Sequence, residues 1–374
     1  MVYDYFFPAY KAGGPVQSLT NLIISLQSKY KVAVLTGGYD LNESHSLSDV
    51  TLNEWLSINL QPNLNPIKVW YGGKGKPGVK QISQCIEDVN ASVVYLNGMF
   101  SYRFVLLPLF KIKKQDINIV ICPRGMLQSG ALAGKSFKKS IYLTMIKLFG
   151  LTENVTWHAT NDEEKKDIRK IFGNAAKVII APNIPKCPVK EITPALKEKG
   201  KLKLVYLSLI SEKKNLFQLI KLVSKSIGIT LDIYGPVKDI PYWETCKEFI
   251  KNNEDRIKYL GDVMPEFVQK TFMNYDASIL LTKGENFGHA LYESLSAGRP
   301  IITSFFTPWE ELETKMAGWN LDITDDRDCI SKLESIRAMD EELFNSFCSG
   351  AHKLAKDYYE NSNATENYIK LFEV

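Results

Sequence analysis

Short β-branched runs alternate with patterned helical stretches along almost the whole chain, and this alternation restricts the fold more than any other feature. The predicted strands cover residues 2–7, 32–36, 67–71, 93–96, 119–122, 178–180, 202–208, 230–234, 257–260, 277–281 and 301–304. The predicted helices cover residues 17–29, 80–89, 136–149, 163–172, 216–225, 242–252, 265–274 and 288–297. Strands that alternate with such helices form parallel sheets with helices on both faces.

A polar, proline-containing stretch at residues 183–200 divides the alternation into two halves. Because 374 residues exceed what one hydrophobic core usually organises, we predict an α/β protein of two doubly wound, Rossmann-like domains that face each other across a cleft. Residues 1–182 form the first domain and residues 201–344 the second, while residues 345–374 are helical and could pack back on the first. In such sheets ligands bind beyond the carboxyl ends of the strands. The loops that follow strands are therefore the candidate functional segments.

Composition and cysteine content exclude several classes of protein. With 45% hydrophobic and 24% charged residues, the chain is expected to be globular and not disordered. No apolar run reaches the roughly 18 residues of a membrane span, and the N-terminus lacks the pattern of a secretion signal. The six cysteines include no C-x-x-C pair and the histidines form no cluster, which argues against a disulfide scaffold or structural zinc. We therefore expect a cytoplasmic protein without a metal site.

Basic residues are concentrated in the first half of the chain. Residues 1–190 carry 23 Lys and Arg against 13 Asp and Glu (net +10), whereas residues 191–374 carry 23 against 29 (net −6). This asymmetry predicts an anionic partner for the first half. No nucleic-acid-binding motif is present, so an anionic membrane surface is the candidate, with Lys135, Lys138 and Lys139 beside a predicted amphipathic helix as the contact. Lysines that only keep helix faces soluble are the alternative.

The sequence TKGENFGHALYESLSAGRPIITS at residues 282–304 follows a predicted strand. It is typical of a loop, a short helix and another strand. Gly288 permits a close backbone approach at the start of the helix, where unpaired N–H groups of residues 287–290 would face an anion. Glu285 and Glu293 stand eight residues apart, or about 12 Å along a helix. This arrangement suits a ligand with phosphates in the middle and a sugar at each end, because carboxylates accept hydrogen bonds from sugar hydroxyls.

This segment resembles the E-x7-E signature of the retaining GT-B glycosyltransferases, and of glycosyltransferase family four in particular. The resemblance extends to the glycine loop Gly13-Gly14-Pro15, to residues 181–183, to LSLISEKKNL at residues 207–216, and to Thr307-Pro308-Trp309, which resembles a variant of bacterial polysaccharide members. The family implies a GT-B fold, a nucleoside-diphosphate-sugar donor on the second domain and a glycan acceptor on the first. It implies neither a cofactor nor a metal.

The resemblance also implies a role for each matching residue. Glu285 would hold hydroxyls of the donor hexose, Glu293 would hold the ribose, and Lys214 would place a positive charge at the diphosphate, where charge develops as the glycosidic bond breaks. The backbone amides that would face the diphosphate belong to Phe287, Gly288, His289 and Ala290. The glycines that would approach the phosphates or the acceptor are Gly13 and Gly14. The loops that would hold the base contain Gly235, Pro236, Gly261, Asp262 and Val263.

Two positions depart from the family pattern. The family usually has an arginine five residues before the lysine that binds the diphosphate, and this position is Leu209. Many members also carry a histidine after the central strand of the first domain, where this chain has the sequence ICPRGM. Arg124 lies within that sequence and is the candidate for the missing positive charge. A cation there would neutralise charge on the leaving phosphate but would not act as a base.

We therefore predict a metal-independent, retaining hexosyltransferase that acts on a lipid-linked glycan in bacterial polysaccharide, capsule or O-antigen (lipopolysaccharide) assembly, at the inner face of the cytoplasmic membrane. Leu209 and the missing histidine are also compatible with a catalytically inactive nucleotide-sugar-binding partner. Residues 73–78 fit G-x-G-x-x-G, the pattern of a dinucleotide-dependent oxidoreductase. Asp326 and Asp328 form a D-x-D pattern that we interpret as a solvated turn, and His158 is interpreted as either structural or catalytic.

Overall fold

The computed structural model describes residues 1–113, 115–128, 132 and 136–373. They form two compact units, of which unit 1 comprises Met1–Ile184 with Ser362–Val374 and unit 2 comprises Pro185–Asn361. Lys135, which is part of the predicted membrane contact, lies outside the described residues. None of the described helices is long and apolar enough to span a bilayer.

The sheet of unit 1 is parallel except at one edge. Its strands are β1 (Ala33–Gly37), β2 (Trp55–Ile58), β3 (Ile67–Gly72), β4 (Val93–Asn97), β5 (Asn118–Cys122), β6 (Val155–Ala159) and β7 (Val178–Ile180). They are arranged in the orders β2-β3-β1 and β4-β5-β6-β7. Val2 forms β-bridges to Leu35 and Leu96, and so connects β1 with β4. The edge strand β2 is antiparallel to β3 and differs in this from the predicted parallel arrangement.

The first predicted strand, residues 2–7, is shorter in the structure. Within this range only Val2 forms β-bridges, because the chain bends at Asp4 and turns at Phe7 and Pro8, and a proline has no N–H for a sheet hydrogen bond. The chain then enters the first helix of the unit at Gly14. The helices of unit 1 are Gly14–Leu26, Val79–Asp88, Leu107–Ile112 with the preceding π-helix Tyr102–Leu106, Ser136–Leu148, Asp162–Phe172 and Ala364–Phe372.

Unit 2 is a fully parallel sheet with one reversal of strand order. Its strands are β8 (Leu202–Leu207), β9 (Ile229–Tyr234), β10 (Ile257–Tyr259), β11 (Ala277–Leu280), β12 (Ile301–Ser304) and β13 (Gly318–Leu321). Their order is β10-β9-β8-β11-β12-β13. Its helices are Leu216–Lys225, Ile240–Lys251, Val268–Phe272, His289–Ser296, Asp326–Arg337 and Glu341–Asn361. The order reverses between β8 and β11, which is where sheets of this type bind ligands.

The predicted closing segment, residues 345–374, divides between the two units. The helix Glu341–Asn361 lies in unit 2, where Phe347 stacks on Trp319 with ring centroids 4.5 Å apart. The helix Ala364–Phe372 lies in unit 1 and contributes to its core. Only this last helix packs on the first unit, because the apolar face of the longer helix is buried in the core of the second.

Candidate active site

Two loops meet at the point where the strand order of unit 2 reverses. The β8 loop (residues 208–215) and the β11 loop (residues 281–288) follow neighbouring strands, since Ala277 pairs with Leu204 in the sheet. The backbone N–H of Lys283 donates to the carbonyl oxygen of Lys213 at 2.9 Å, and Thr282 Oγ1 donates to the same oxygen at 3.2 Å. Parallel pairing and these two bonds therefore place the side chains of the loops beside each other.

Glu285 and Lys214 form an ion pair between the two loops. Their side chains are only 17% and 15% exposed. Burial alone would raise the pKa of Glu285, but the positive charges of Lys214 and Lys213 and the hydrogen bond from the Asn286 backbone lower it below its usual value. The Glu285 backbone is fixed as well, because its N–H donates to the carbonyl oxygen of Phe306 at 2.9 Å. Glu285 is therefore an ionised carboxylate held next to a cation.

Lys213 is a second cation at this position that the sequence analysis did not select. Its side chain lies across Gly284, where a Cβ atom would be 3.3 Å from Lys213 Cε and 3.7 Å from Nζ. Desolvation lowers the pKa of Lys213, the charges of Lys214 and Lys238 act in the same direction, and Glu285 opposes them. Within the described part of the chain no carboxylate forms an ion pair with Lys213. The β8 loop thus presents one paired and one unpaired ammonium group beside Glu285.

The helix His289–Ser296 begins directly after these charges. Gly288 precedes it with a φ of 78°, a left-handed conformation that favours glycine. A Cβ at Gly288 would lie 3.2 Å from Glu285 Cγ, so the missing side chain also allows Glu285 to approach the helix. Gly288, as the N-cap residue, has no side chain to cap the helix, and the first N–H groups of a helix have no partner within it. With the helix dipole, they favour an anion at this end.

Glu293 lies in the same helix and its carboxyl group is buried without a partner for one oxygen. The residue is 6% exposed, and Oε2 makes no hydrogen bond within the described structure. Burial raises the pKa of Glu293 to about 7, and the charge of Lys186 opposes this only in part. A buried polar atom without a hydrogen bond is unfavourable by about 1–3 kcal/mol. The unpaired Oε2 is therefore an acceptor for a hydroxyl donor, and the predicted role of Glu293 in binding a ribose stays a prediction.

The loops after β8, β9 and β10 are joined through their backbones. The N–H of Gly235 donates to the Gly261 carbonyl at 2.9 Å, and the N–H of Ile210 donates to the Pro236 carbonyl at the same distance. Gly235 has a φ of 135°, and a Cβ there would lie 1.9 Å from the Ser208 carbonyl oxygen, so only glycine fits. Gly261 also has positive φ, but a Cβ there would meet open space.

Val263 and Ala290 belong to one small apolar cluster, whose buried centre includes Val205 and Phe272. Val263 comes from the loop after β10 and Ala290 from the first turn of the helix His289–Ser296. Asp262 is half-buried beside Val263. One residue predicted to hold the base and one predicted to face the diphosphate therefore lie in a common cluster. Their roles in binding stay predictions.

Aromatic side chains support the β11 loop from behind. The ring of Phe287 contacts His289 at 4.8 Å, Tyr292 at 5.7 Å, Trp309 at 5.6 Å and Tyr358 at 5.4 Å between centroids. Trp309 Nε1 also donates to the carbonyl oxygen of Phe287 at 2.6 Å. The packing of these aromatic rings therefore fixes the backbone around Phe287, including its N–H groups.

The predicted residues of the first half lie in unit 1. Gly13 has a φ of 75° and precedes the helix that begins at Gly14. Arg124 follows β5, and its guanidinium donates to Asn97 Oδ1 (2.6 Å), Asn183 Oδ1 (2.5 Å) and the Tyr95 hydroxyl (3.1 Å). These acceptors are uncharged. The role of Arg124 as the missing cation stays a prediction.

His158 has the contacts of a structural residue. It is fully buried, Nε2 donates to the Ala181 carbonyl at 2.7 Å, and Nδ1 lies 2.9 Å from the Tyr95 hydroxyl. Burial, followed by the charge of Arg124, lowers the pKa of His158 to about 3. The ring is therefore neutral at physiological pH, and both nitrogens are occupied within unit 1.

The D-x-D pattern is part of a helix and not a solvated turn. Asp326 and Asp328 lie in the first turn of the helix Asp326–Arg337, which Asp325 caps with its side chain. Asp326 Oδ1 also accepts a hydrogen bond from Gln218 Nε2 at 2.8 Å. Among the residues that the structure describes, no group of three or more His, Cys, Asp or Glu could hold a metal ion.

Comparisons with known proteins agree with this fold. Residues 189–343 match the family model described as "Glycosyl transferases group 1". Sucrose-phosphate synthase from Thermosynechococcus elongatus has a similar structure, with a TM-score of 0.74 and 12% identity over 96% of this chain and 93% of that chain. HepE from Anabaena, solved in complex with UDP and glucose, has a TM-score of 0.70 and 12% identity over 100% of both chains. No curated protein sequence matches the chain.

WaaG, a glycosyltransferase involved in lipopolysaccharide biosynthesis, is also similar, with a TM-score of 0.65 and 12% identity over 99% of this chain and 97% of that chain. Similarity at this level of identity establishes the fold, and the predicted α/β GT-B fold of two Rossmann-like domains is confirmed. The family match covers less than half of the 374 residues. Together, the fold and this match support a glycosyltransferase of the GT-B class.

Proposed function

We propose that the chain is a retaining glycosyltransferase of family four that transfers a hexose-type sugar from a nucleoside diphosphate to a sugar hydroxyl of a glycan acceptor. One observation carries the proposal. The helix His289–Ser296 has the Glu285–Lys214 ion pair before its N-terminus and the buried carboxyl group of Glu293, with its unpaired oxygen, inside it. A sugar nucleotide has the matching order of groups, because its diphosphate lies between a hexose and a ribose.

Glu293 would bind the ribose. Its Oε2 has no hydrogen-bond partner in the described structure, and ribose hydroxyls are donors that would satisfy it. Such donors stabilise the ionised form, so binding would lower the pKa of Glu293 from about 7. The loops that contain Gly235 and Gly261 would hold the base, since their backbones are tied together and Gly261 faces open space.

The diphosphate would lie at the N-terminus of the helix, between its N–H groups and the two lysines of the β8 loop. Lys214 is paired with Glu285, so it cannot alone neutralise both Glu285 and a diphosphate. Lys213 brings a second ammonium group to the same position. We propose that Lys213 supplies the charge that an arginine at position 209 would supply in the family pattern. Arg124 is the corresponding candidate from unit 1.

Catalysis would then depend on charge stabilisation and not on a metal. As the glycosidic bond breaks, negative charge develops on the leaving diphosphate, and preorganised cations and N–H groups stabilise it. Glu285 would orient the hexose through its hydroxyls. Retention would follow from attack on the same face of the sugar, with a donor phosphate oxygen accepting the acceptor proton. The family resemblance is what supports this last step.

We further propose that the acceptor is a lipid-linked glycan of bacterial polysaccharide, capsule or O-antigen assembly, presented at the inner face of the cytoplasmic membrane. The charge asymmetry supports this, since residues 1–190 carry a net +10 and the acceptor would bind to the first domain. WaaG is involved in lipopolysaccharide biosynthesis, which makes such glycans reasonable first acceptors to test. HepE was solved with UDP-glucose, so UDP-glucose is the first donor to test.

A thermal-shift screen of nucleoside diphosphates and their sugars would test the donor assignment. A ligand at 100 times its Kd stabilises the protein by about 2.7 kcal/mol, and we expect one nucleoside diphosphate to raise the melting temperature well above the others. Release of the nucleoside diphosphate, alone or with acceptor, then tests catalysis. Binding without any release would favour the inactive partner that Leu209 makes conceivable. Stabilisation by NAD(P) alone would contradict the proposal and favour the oxidoreductase.

A further inference from the structure

We infer that an exposed apolar stripe on unit 1 docks on the surface of an anionic lipid bilayer. The stripe consists of Phe137, Ile141, Met145 and Leu148 on the helix Ser136–Leu148. These side chains belong to residues that are 77%, 45%, 46% and 80% exposed, respectively. The inference rests on the proposed function only for the lipid-linked acceptor, which would be presented at this bilayer.

The spacing of the four residues places them on one face of the helix. At about 100° per residue, the positions i, i+4, i+8 and i+11 fall within an arc of about 80° and extend over about 16 Å. The opposite face already has partners, because Tyr142, Leu143 and Ile146 pack in the core of unit 1. Single exposed apolar residues are ordinary on a protein surface, whereas a contiguous exposed group indicates an interaction site.

The apolar surface continues beyond the end of the helix. Phe149 is 51% exposed, and its ring lies 5.8 Å from the ring of Phe110, which is 47% exposed. Phe110 belongs to the neighbouring helix Leu107–Ile112. Two helices therefore contribute large apolar side chains to one exposed surface.

The chain segment that carries this surface is predominantly basic. Residues 100–153 contain nine Lys and Arg and two acidic residues, Asp116 and Glu153, for a net +7, and Glu153 lies near Lys113 beside Gly150. Lys138 and Lys147 border the stripe on its two sides, at about +100° and −80° from Phe137 around the helix. A basic residue near an anionic bilayer contributes about 1 kcal/mol, or about a fivefold change in partitioning.

The structure changes which lysines form the predicted contact. Lys139 lies about 200° from Phe137 around the helix, on the same side as the buried Ile146, and its Nζ lies over the ring of Phe100 at 5.5 Å from the centroid. It therefore faces away from the stripe. Lys138 is exposed and stays in the proposed contact. Lys147 is exposed as well and joins it at the other border of the stripe, with its Nζ over the ring of Phe172 at 5.4 Å from the centroid.

A bilayer fits this combination better than a second copy of the chain or a nucleic acid. Two copies that met through the stripe would bring two net positive surfaces together, which is unfavourable. A nucleic acid would use the lysines but not the phenylalanines and leucine between them. An amphipathic helix that lies in the bilayer interface buries its apolar side chains about 5–10 Å deep while its basic residues contact anionic headgroups.

Vesicle flotation of the full chain tests the inference with two double variants and two matched controls. The apolar variant is Phe137→Ser with Leu148→Ser, and its control is Leu196→Ser with Ile227→Ser, which are 89% and 81% exposed in unit 2. The charge variant is Lys138→Gln with Lys147→Gln. Its control is Lys201→Gln with Lys353→Gln, whose side chains are 61% and 78% exposed.

We expect the parent to float with vesicles of phosphatidylcholine and phosphatidylglycerol, and only weakly with phosphatidylcholine alone. The apolar variant should partition into the vesicles at least tenfold less than the parent, because each serine lacks the favourable free energy of transferring a large apolar side chain into the bilayer. Partitioning of the charge variant into anionic vesicles should be about 25-fold weaker than that of the parent at low salt. It should be little weaker at 1 M salt, where the Debye length is about 3 Å. Both controls should behave like the parent.

Equal partitioning of the apolar variant and the parent would overturn the inference, and so would equal flotation with neutral and anionic vesicles. A parent that does not float but dimerises through these residues, as light scattering of the parent and the apolar variant would reveal, would assign the surface to a second copy. Stabilisation by nucleoside diphosphates is measured on the same proteins without vesicles. Loss of vesicle binding with intact nucleotide binding would therefore leave the donor assignment standing.

Discussion

Lys214 and Glu285 form an ion pair that joins the loops after two neighbouring strands, β8 and β11. The pair keeps Glu285 ionised, since the positive charge lowers its pKa against the effect of burial. It also fixes the position of the carboxylate at the N-terminus of the helix His289–Ser296. The hydroxyl groups of a sugar bound there would meet a hydrogen-bond acceptor, the Glu285 carboxylate, that is already oriented. Orientation before binding reduces the free energy needed to reach the transition state.

Glu285→Gln should lower the turnover number of sugar transfer by roughly 10²–10³, as removal of a positioned polar group near developing charge does in other enzymes. Binding of the free nucleoside diphosphate should change little, because the proposed contact is to the hexose. Initial rates and a nucleotide titration of the same preparation would measure both effects.

Glu212→Gln is the matched control for this change. Glu212 belongs to the same β8 loop, but its side chain is 74% exposed and its partner is the exposed Lys283. An exposed ion pair of this kind contributes little, so turnover should stay near that of the parent. Near-normal turnover in Glu285→Gln would contradict the placement of the hexose at this carboxylate.

Lys213→Gln should weaken donor binding by on the order of tenfold, which corresponds to the loss of one charge-assisted hydrogen bond. The effect should decrease as salt is raised, because the lysine is partly accessible to solvent. The donor KM at low and high ionic strength is the measurement. Lys283→Gln is the control, since Lys283 lies in the adjacent loop and pairs with Glu212 instead.

A second change makes this prediction sharper. If Lys213 replaces the family's arginine, adding Leu209→Arg to Lys213→Gln should recover a large part of the lost affinity. Leu209 is half-buried in the same β8 loop. Recovery would not be expected if Lys213 only stabilised the loop. An unchanged donor affinity in Lys213→Gln itself would show that Lys213 does not belong to the donor site.

The segment around Glu285 could be predicted because its signals are local. A short apolar run forms β11, and glycines stand at the two positions of positive φ that bound the helix, Gly288 (78°) and Gly298 (67°). A Cβ at Gly298 would also lie 2.6 Å from Ile192 Cγ2. Backbone conformations that favour glycine can be inferred from the sequence, so the loop, the helix and its ends are predicted by the same few residues.

The sequence analysis missed three strands, β2, β6 and β13, and the last two depend on distant partners. In β6 the polar ring of His158 is buried because Tyr95 and Ala181, which are 63 and 23 residues away, hydrogen-bond to it. β13 begins at Gly318, where a Cβ would lie 2.0 Å from the carbonyl oxygen of Ile301. A local hydrophobic pattern carries no information on such partners.

Within the candidate site, the role of Lys213 could not be predicted from the local sequence either. The sequence presents Lys213 and Lys214 as neighbours of equal charge, and the family pattern selects only the second. The two differ in what they contact, because Lys214 pairs with Glu285 and Lys213 lies across Gly284. That distinction requires the pairing of β8 with β11, which brings residues about 70 positions apart together.

EDTA should leave sugar transfer essentially unchanged. We expect this because the helix N-terminus and the lysines of the β8 loop would supply the positive charge that a divalent cation supplies at a diphosphate in other enzymes. The assay compares initial rates with and without EDTA, followed by addition of Mg²⁺ or Mn²⁺. Loss of activity that only a metal ion restores would contradict this prediction and would return attention to Asp326 and Asp328.

Glu293 should make the stability of the free protein depend on pH in a defined direction. Its pKa rises from 4.5 to about 7 on folding, so the folded protein binds one more proton than the unfolded chain between these values. This contribution to stability is complete below about pH 4.5 and is lost as the pH rises through about 7. A shift of this size corresponds to on the order of 3 kcal/mol.

Glu293→Gln would remove that dependence, since glutamine does not titrate in this range. We expect the variant to be more stable than the parent at pH 8 and to approach it in stability at pH 5, as urea unfolding at both pH values would measure. Glu341→Gln is the control, because Glu341 is exposed at the start of another helix of unit 2. The variant should also bind the nucleoside diphosphate more weakly, because it loses the ionised acceptor proposed for the ribose. A variant with the parent's pH profile would show that Glu293 is ionised at neutral pH without a ligand, and unchanged nucleotide affinity would place the ribose elsewhere.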